Sequence, residues 1–177
     1  MNIQQTTLPG VLKIDIDVIA DDRGSFRVPW QRGQMISAGL PDFGPVQWNI
    51  SHSKRGVIRG IHAEPWDKFV HMAYGEATSV IVDLRKESLM YGKYEMFKAS
   101  QKTALFIPKG MGNSFQVTSD LGVYAYLVNA HWQPGLAYEA IAFDDPTLNI
   151  PWPITGEEQI VSEKDRGNLL FLGSTLD

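Results

Sequence analysis

A chain of 177 residues with a formal net charge of -4, 44% hydrophobic and 20% charged, has the size and composition of one globular domain with a substantial core. The charge excludes a broad basic field for nucleic acid, and the lack of cysteine excludes disulfides, thiolate nucleophiles and cysteine-based zinc sites. No apolar run nears the roughly 20 residues that span a bilayer, and Met1–Gly10 lacks a signal-peptide pattern, so a cytoplasmic protein with no membrane partner is expected.

In chain order, Val11–Val18 comes first, with Ile14, Ile16 and Val18 on one face and Lys13, Asp15 and Asp17 on the other. That period of two marks a half-buried strand. Asp21-Asp22-Arg23-Gly24 reads as a turn and Gln31–Ala38 as a short helix. Strand-like runs follow at Gln47–Ser51, Val57–His62, Phe69–Tyr74, Thr78–Leu84, Tyr94–Ala99, Thr103–Ile107, Ser114–Thr118 and Val123–Trp132. Turn residues separate them at Gly75-Glu76, Tyr91-Gly92, Pro108-Lys109-Gly110 and Asp120-Leu121-Gly122. The proline-bearing stretch Asp144–Pro153 reads as an ordered crossing loop, and Ser162-Glu163-Lys164-Asp165 as a helix start capped by Ser162. Roughly nine short strands with regular turns, and no repeat or linker, predict a single all-β domain over residues 1–177, a sandwich or barrel.

The chemistry rests on four histidines: His52, His62, His71 and His131. No two are separated by a single residue, and three convergent ligands are not evident, so no metal is expected. His62 has the richest neighbourhood, with Arg59 three residues before it and Lys68 soon after. Together they could form a positive site for an anion or a developing enolate, or equally a solvated strand end.

The ordered set of short motifs resembles the dTDP-4-dehydrorhamnose 3,5-epimerase family. The matching runs are Asp22-Arg23-Gly24-Ser25-Phe26, Gln47-Trp48-Asn49-Ile50-Ser51, Gly56-Val57-Ile58-Arg59-Gly60-Ile61-His62, Val82-Asp83-Leu84-Arg85-Lys86-Glu87-Ser88 and Phe106-Ile107-Pro108-Lys109-Gly110. Asp144-Asp145-Pro146, Ile150-Pro151-Trp152-Pro153 and Ser162-Glu163-Lys164-Asp165 complete the set, from about residue 8 to about residue 167. The resemblance implies a cupin-type β jelly roll with short peripheral helices. It also implies epimerisation of a nucleoside-diphosphate 4-keto-6-deoxy sugar, with neither metal nor other cofactor. By that resemblance His62 is the base, Asp165 on the C-terminal tail (154–177) its partner, and Tyr126 the general acid. Lys68 and Arg59 match groups near the ketone and diphosphate, Arg23, Gln47 and Asn49 match nucleotide-binding positions, and Trp132 stacks on the nucleobase. A homodimer is implied as well, with an exchanged N-terminal strand (8–20) and with Arg23 and Phe26 reaching the neighbour's nucleotide.

Departures accompany the match. Asn113 and Ser79 stand where the family has a second histidine–aspartate pair; both can hydrogen-bond a sugar, but neither carries a proton near neutral pH. Val28 and Ala137 replace glutamates, and His131 a tyrosine. Epimerisation at a single carbon is therefore one expectation. Ketoisomerisation on the same scaffold, and a non-catalytic sugar-nucleotide-binding cupin, are the alternatives.

Overall fold

The computed structural model describes residues 2–171; the last six residues of the 154–177 tail lie outside the described residues. Two sheets face each other. The first has the order β1 (Asn2–Gln5), β2 (Leu12–Asp15), β10 (Thr103–Ile107), β7 (Lys68–Tyr74), β12 (Leu121–Val128), β5 (Gln47–Lys54). The second runs β13 (Glu139–Ala140), β6 (Val57–Ala63), β11 (Met111–Val117), β8 (Ala77–Asp83), β9 (Tyr94–Ala99), with β14 (Ile160–Val161) lying parallel to β6. A small hairpin, β3 (Ile19–Asp21) and β4 (Gly24–Phe26), stands apart. This is the predicted all-β jelly roll; α1 (Arg32–Ser37), a 3₁₀ turn at Gly156–Glu158 and α2 (Glu163–Arg166) are its peripheral helices.

Alternation along the strands divides the apolar residues into three layers. Between the sheets, Val70, Met72, Leu105, Ile107 and Tyr124 meet Ile81, Phe97, Phe115 and Val117. Outside the second sheet, Ile58, Ile61, Val80, Val82 and Leu84 are covered by Ile141, Phe143, Leu148, Ile150 and Trp152 of the C-terminal crossing segment. Outside the first, Phe69, Ala104, Phe106 and Ile14 are covered by Met35, Leu40 and Phe43 around α1. Strands covered on both faces lose their polar alternation, which is why β7 and β8 read as near-continuous apolar runs.

The predicted strand at Val11–Val18 is shorter than its pattern suggests, and β2 pairs with β1 and β10 of its own chain. The outer edge of β1 and the hairpin β3–β4 remain as the N-terminal parts open to a neighbour. The run Val123–Trp132 ends at Val128, where Asn129 turns away to bond Asp67.

Candidate active site

Arg59 and His62 are three residues apart, a spacing that sends side chains to opposite faces of a regular strand. The local register removes the difference. Asn113 lies opposite His62 and Phe115 opposite Arg59, so β6 carries one more residue than β11 across this interval, a bulge that returns both side chains to one face. Gly60 makes it possible, with φ at +118°. A Cβ there would lie 2.5 Å from the Asn113 carbonyl oxygen and 2.7 Å from Ser114 Cβ. Only glycine fits.

Asp165 arrives from the far end of the chain. Ser162 caps α2, its Oγ accepting from the Asp165 N–H at 3.1 Å as the sequence predicts, and this sets the carboxylate against β6. Asp165 Oδ1 is 2.7 Å from His62 Nε2, and Oδ2 accepts the Gly60 N–H at 3.4 Å. Burial alone would raise the Asp165 carboxyl, but the His62 hydrogen bond and charge, the Gly60 amide and Ser162 together hold it below the usual carboxylate range. An ionised Asp165 can only accept, so Nε2 carries the proton and Nδ1 is left as the basic nitrogen.

Lys68, at the start of β7, is buried, with Nζ 2.5 Å from Glu64 Oε2 and 3.4 Å from the His62 carbonyl oxygen. Tyr126 on β12 is held protonated: burial first, then the Glu64 and Tyr138 charges, push its phenol up to about 12, with Arg59 opposing. Arg59 Nε donates to Ser53 Oγ at 3.1 Å. Asn113 Oδ1 accepts the Tyr124 hydroxyl at 3.2 Å, and the fully buried Ser79 hydroxyl lies beside the same phenol without making a well-formed hydrogen bond. The pair replacing the second His–Asp is thus tied into the interior through Tyr124, which stacks on Phe115 at 4.0 Å.

Beside this cluster, Gln47 Nε2 donates to Asn49 Oδ1 at 2.7 Å, and the Trp132 N–H donates to Gln47 Oε1 at 3.0 Å. Asn49 lies opposite Tyr126 in the ladder, so these three predicted nucleotide positions adjoin the cluster that contains Tyr126. The Trp132 ring is half-exposed. Arg23 and Phe26 are elsewhere, on the exposed hairpin, where Arg23 pairs with Asp21 at 2.6 Å. Within one chain they do not join the site.

Three contributors had no signal of their own in the sequence. Glu64 sits one residue past the end of β6 as the partner of Lys68. Tyr138 sets its ring at 65° to the His62 ring with centroids 5.6 Å apart, and Lys164 donates to its hydroxyl at 3.2 Å. Tyr138, between Ala137 and Glu139, is the side chain of this stretch that approaches His62. An open groove of about 1190 Å³, lined by Lys13, Tyr74, Glu76, Lys98 and Lys102 among others, lies at the β7–β8 turn and contains none of the predicted site residues. It holds no histidine, so the His62 cluster is the better candidate for acid–base work.

Residues 5–172 match the family model described as dTDP-4-dehydrorhamnose 3,5-epimerase. This chain belongs to that family. It is 37% identical over 171 residues to a protein called RmlC homolog from Streptococcus pyogenes, covering 93% of this chain and 86% of the relative. A dTDP-4-dehydrorhamnose 3,5-epimerase from Pseudomonas aeruginosa is 34% identical over 177 residues, covering 97% of this chain and 96% of its own. Among solved structures, RmlC from Streptococcus suis in complex with dTDP-D-xylose superposes with a TM-score of 0.90 at 37% identity, over 96% of this chain and 90% of that one. The Legionella pneumophila RmlC complex with dTDP-4-keto-L-rhamnose gives 0.88 at 31%, over 96% and 92%. Members of the dTDP-4-dehydrorhamnose 3,5-epimerase family are isomerases, and the jelly roll found here is theirs.

Proposed function

We propose that this family member epimerises a dTDP-linked 4-keto-6-deoxy sugar, and that His62, Asp165 and Tyr126 carry the proton transfers. The observation that bears most weight is the 2.7 Å contact between His62 Nε2 and Asp165, because it fixes which nitrogen is basic. His62 Nδ1 removes the hydrogen on a carbon next to the C4 ketone, and the C–H electron pair moves into the enolate. The imidazolium so formed is stabilised by the Asp165 carboxylate. Lys68 places its positive charge where the ketone oxygen becomes negative, and Arg59 serves the diphosphate. Tyr126 returns a proton from the opposite face, inverting the carbon. Among the described residues His62–Asp165 is the one histidine–carboxylate pair of this site, with Asn113 and Ser79 in place of a second. One base therefore serves whichever carbons are inverted, and a restriction to a single carbon would follow from how Asn113 seats the sugar.

Gln47, Asn49 and Trp132 hold the nucleotide, the indole stacking on the base. A homodimer completes the site: Arg23 and Phe26 on the exposed hairpin reach the neighbour's nucleotide. Exposed Ile19, Phe26 and Val28 on and just after the hairpin, and Trp48 and Ile50 on the edge strand β5, supply apolar surface for such an interface. The test is hydrogen exchange. In D₂O the protein incorporates deuterium next to the ketone of a dTDP-4-keto-6-deoxy sugar, and His62→Ala abolishes it. Failure of the unaltered protein to exchange any such hydrogen would overturn the reading, and the number of labelled carbons, read by NMR, counts the centres inverted.

A further inference from the structure

We infer that Glu64 is a positioning residue of this site, one that keeps the Lys68 ammonium charged and aimed at the oxygen where negative charge develops. The inference rests on the role given to Lys68 in the proposed function.

The turn Glu64-Pro65-Trp66-Asp67-Lys68 carries the chain from β6 in one sheet to β7 in the other. It is pinned at Asp67. The Asp67 N–H donates to Asn129 Oδ1 at 2.9 Å, and Asn129 Nδ2 donates back to Asp67 Oδ2 at 3.1 Å. Asp67 Oδ1 also accepts the Lys109 N–H at 2.9 Å. Glu64 and Lys68 therefore face each other from the two ends of a braced loop. Their charged atoms meet at 2.5 Å, with side-chain exposures of 2% for Lys68 and 12% for Glu64.

A lysine ammonium has three hydrogens. One goes to Glu64 and a second to the His62 carbonyl oxygen, and among the described residues no third acceptor for Nζ is present. Two anchors fix the direction of the remaining N–H, and the second anchor is on the residue proposed as the base. A lysine buried this completely would shed its proton without a counter-charge: burial drives its ammonium below the ordinary range, and the Glu64 charge and hydrogen bond recover part of that fall. A neutral lysine could still donate a hydrogen bond but would offer no positive charge to an enolate. The other groups that feel Glu64 are Tyr124 and Tyr126 on β12 and Lys164 on α2, with Arg59 and His62 on β6 and Tyr138 completing the ring of titratable or charged neighbours. Among the described residues none of these makes an ion pair with Glu64, whereas Lys68 does.

The test is the pH profile of kcat/KM for deuterium exchange with the dTDP-4-keto-6-deoxy sugar, in the unaltered protein and in Glu64→Gln. The amide keeps the shape and removes the charge. The alkaline limb should move to lower pH by about one unit or more, and the activity of the variant should recover toward the parent as the pH is lowered. Glu64→Asp, which retains the charge on a shorter arm, should show a smaller shift, and it decides the question through the same limb if Glu64→Gln does not fold. A limb that stays in place, or a loss of equal size at every pH, would overturn the inference. Lys68→Ala separates the two levels of the argument. If it exchanges at the parent rate, the role of Lys68 fails. If it is slow while the Glu64→Gln limb is unmoved, the proposed function stands and the role of Glu64 falls.

Discussion

At the scale of single residues, His62–Asp165 and Tyr126 make separable predictions. Asp165→Asn keeps the contact but lets an amide donate, favouring the tautomer with the proton on Nδ1, where it blocks abstraction. Exchange should fall by about 10²–10⁴-fold with little change in KM, as measured by initial rates. Tyr126→Phe removes the donor on the far face and leaves the base. It should still wash deuterium into the substrate on the His62 side while net inversion falls steeply, and retention of full inversion would remove Tyr126 from its role. His71 makes a different prediction because it takes no part in the site. Burial first, and Arg27 beside it, push its imidazole below the ordinary 6.5, partly offset by the Met72 backbone. A depressed histidine stabilises the fold fully above its unfolded pKa. That contribution fades as the pH falls through about 6.5 toward the lower folded value. Denaturant midpoints should thus drop between pH 7.5 and pH 5.5, and His71→Leu should flatten the slope. Asp165 acts only further down: its lowered carboxyl contributes above the ordinary 3.8 and is lost as the pH falls below that.

At the scale of elements, the C-terminal segment must deliver Asp165 to a strand about a hundred residues earlier, and it is held by more than α2. Gln116, fully buried on β11, donates Nε2 to the Ile154 carbonyl at 2.8 Å and accepts the Ile154 N–H at 2.9 Å. β14 then pairs in parallel with β6 at Ile160–Val57 and Val161–Ile58, and Asp145 Oδ2 accepts the Phe171 N–H at 2.7 Å. Gln116→Leu leaves both Ile154 groups buried without partners and should cost about 2–4 kcal/mol by denaturant melts, with kcat falling as well because Asp165 loosens. Much of this architecture was legible beforehand. β6 to β10 fall within a residue of where alternation and turn residues place them, because buried faces impose their period on the sequence, whereas β5 runs on to Lys54, β11 begins already at Met111 and β12 spans Leu121–Val128. β1, β3, β4, β13 and β14 were not legible: they are two to four residues long and mostly exposed, so packing leaves no pattern in them. The proposed base and its partner were visible only through the order of motifs, since nothing near His62 points to a carboxylate 103 residues later. Glu64 and Tyr138 escaped for the same reason, their partners being set by a braced turn and a loop rather than by spacing.

At the scale of the whole molecule, the exposed hairpin turns the question of the site into one of assembly. Light scattering across a dilution series should report a dimer at micromolar concentration, and Phe26→Asp should shift the weight-average mass toward the monomer. A monomer in the unaltered protein would dismiss the shared site. If the hairpin does cross to a neighbour, the two halves of each site are encoded on different chains, and defects can be sorted by mixing. Protein carrying His62→Ala and protein carrying Arg23→Ala, each nearly inactive alone, should regain activity together after subunit exchange. A mixed pair gathers both lesions in one site and leaves the other whole, so random reassortment restores about one quarter of the original rate. Such complementation would reveal, without any structure of the complex, that the catalytic unit is a junction between chains.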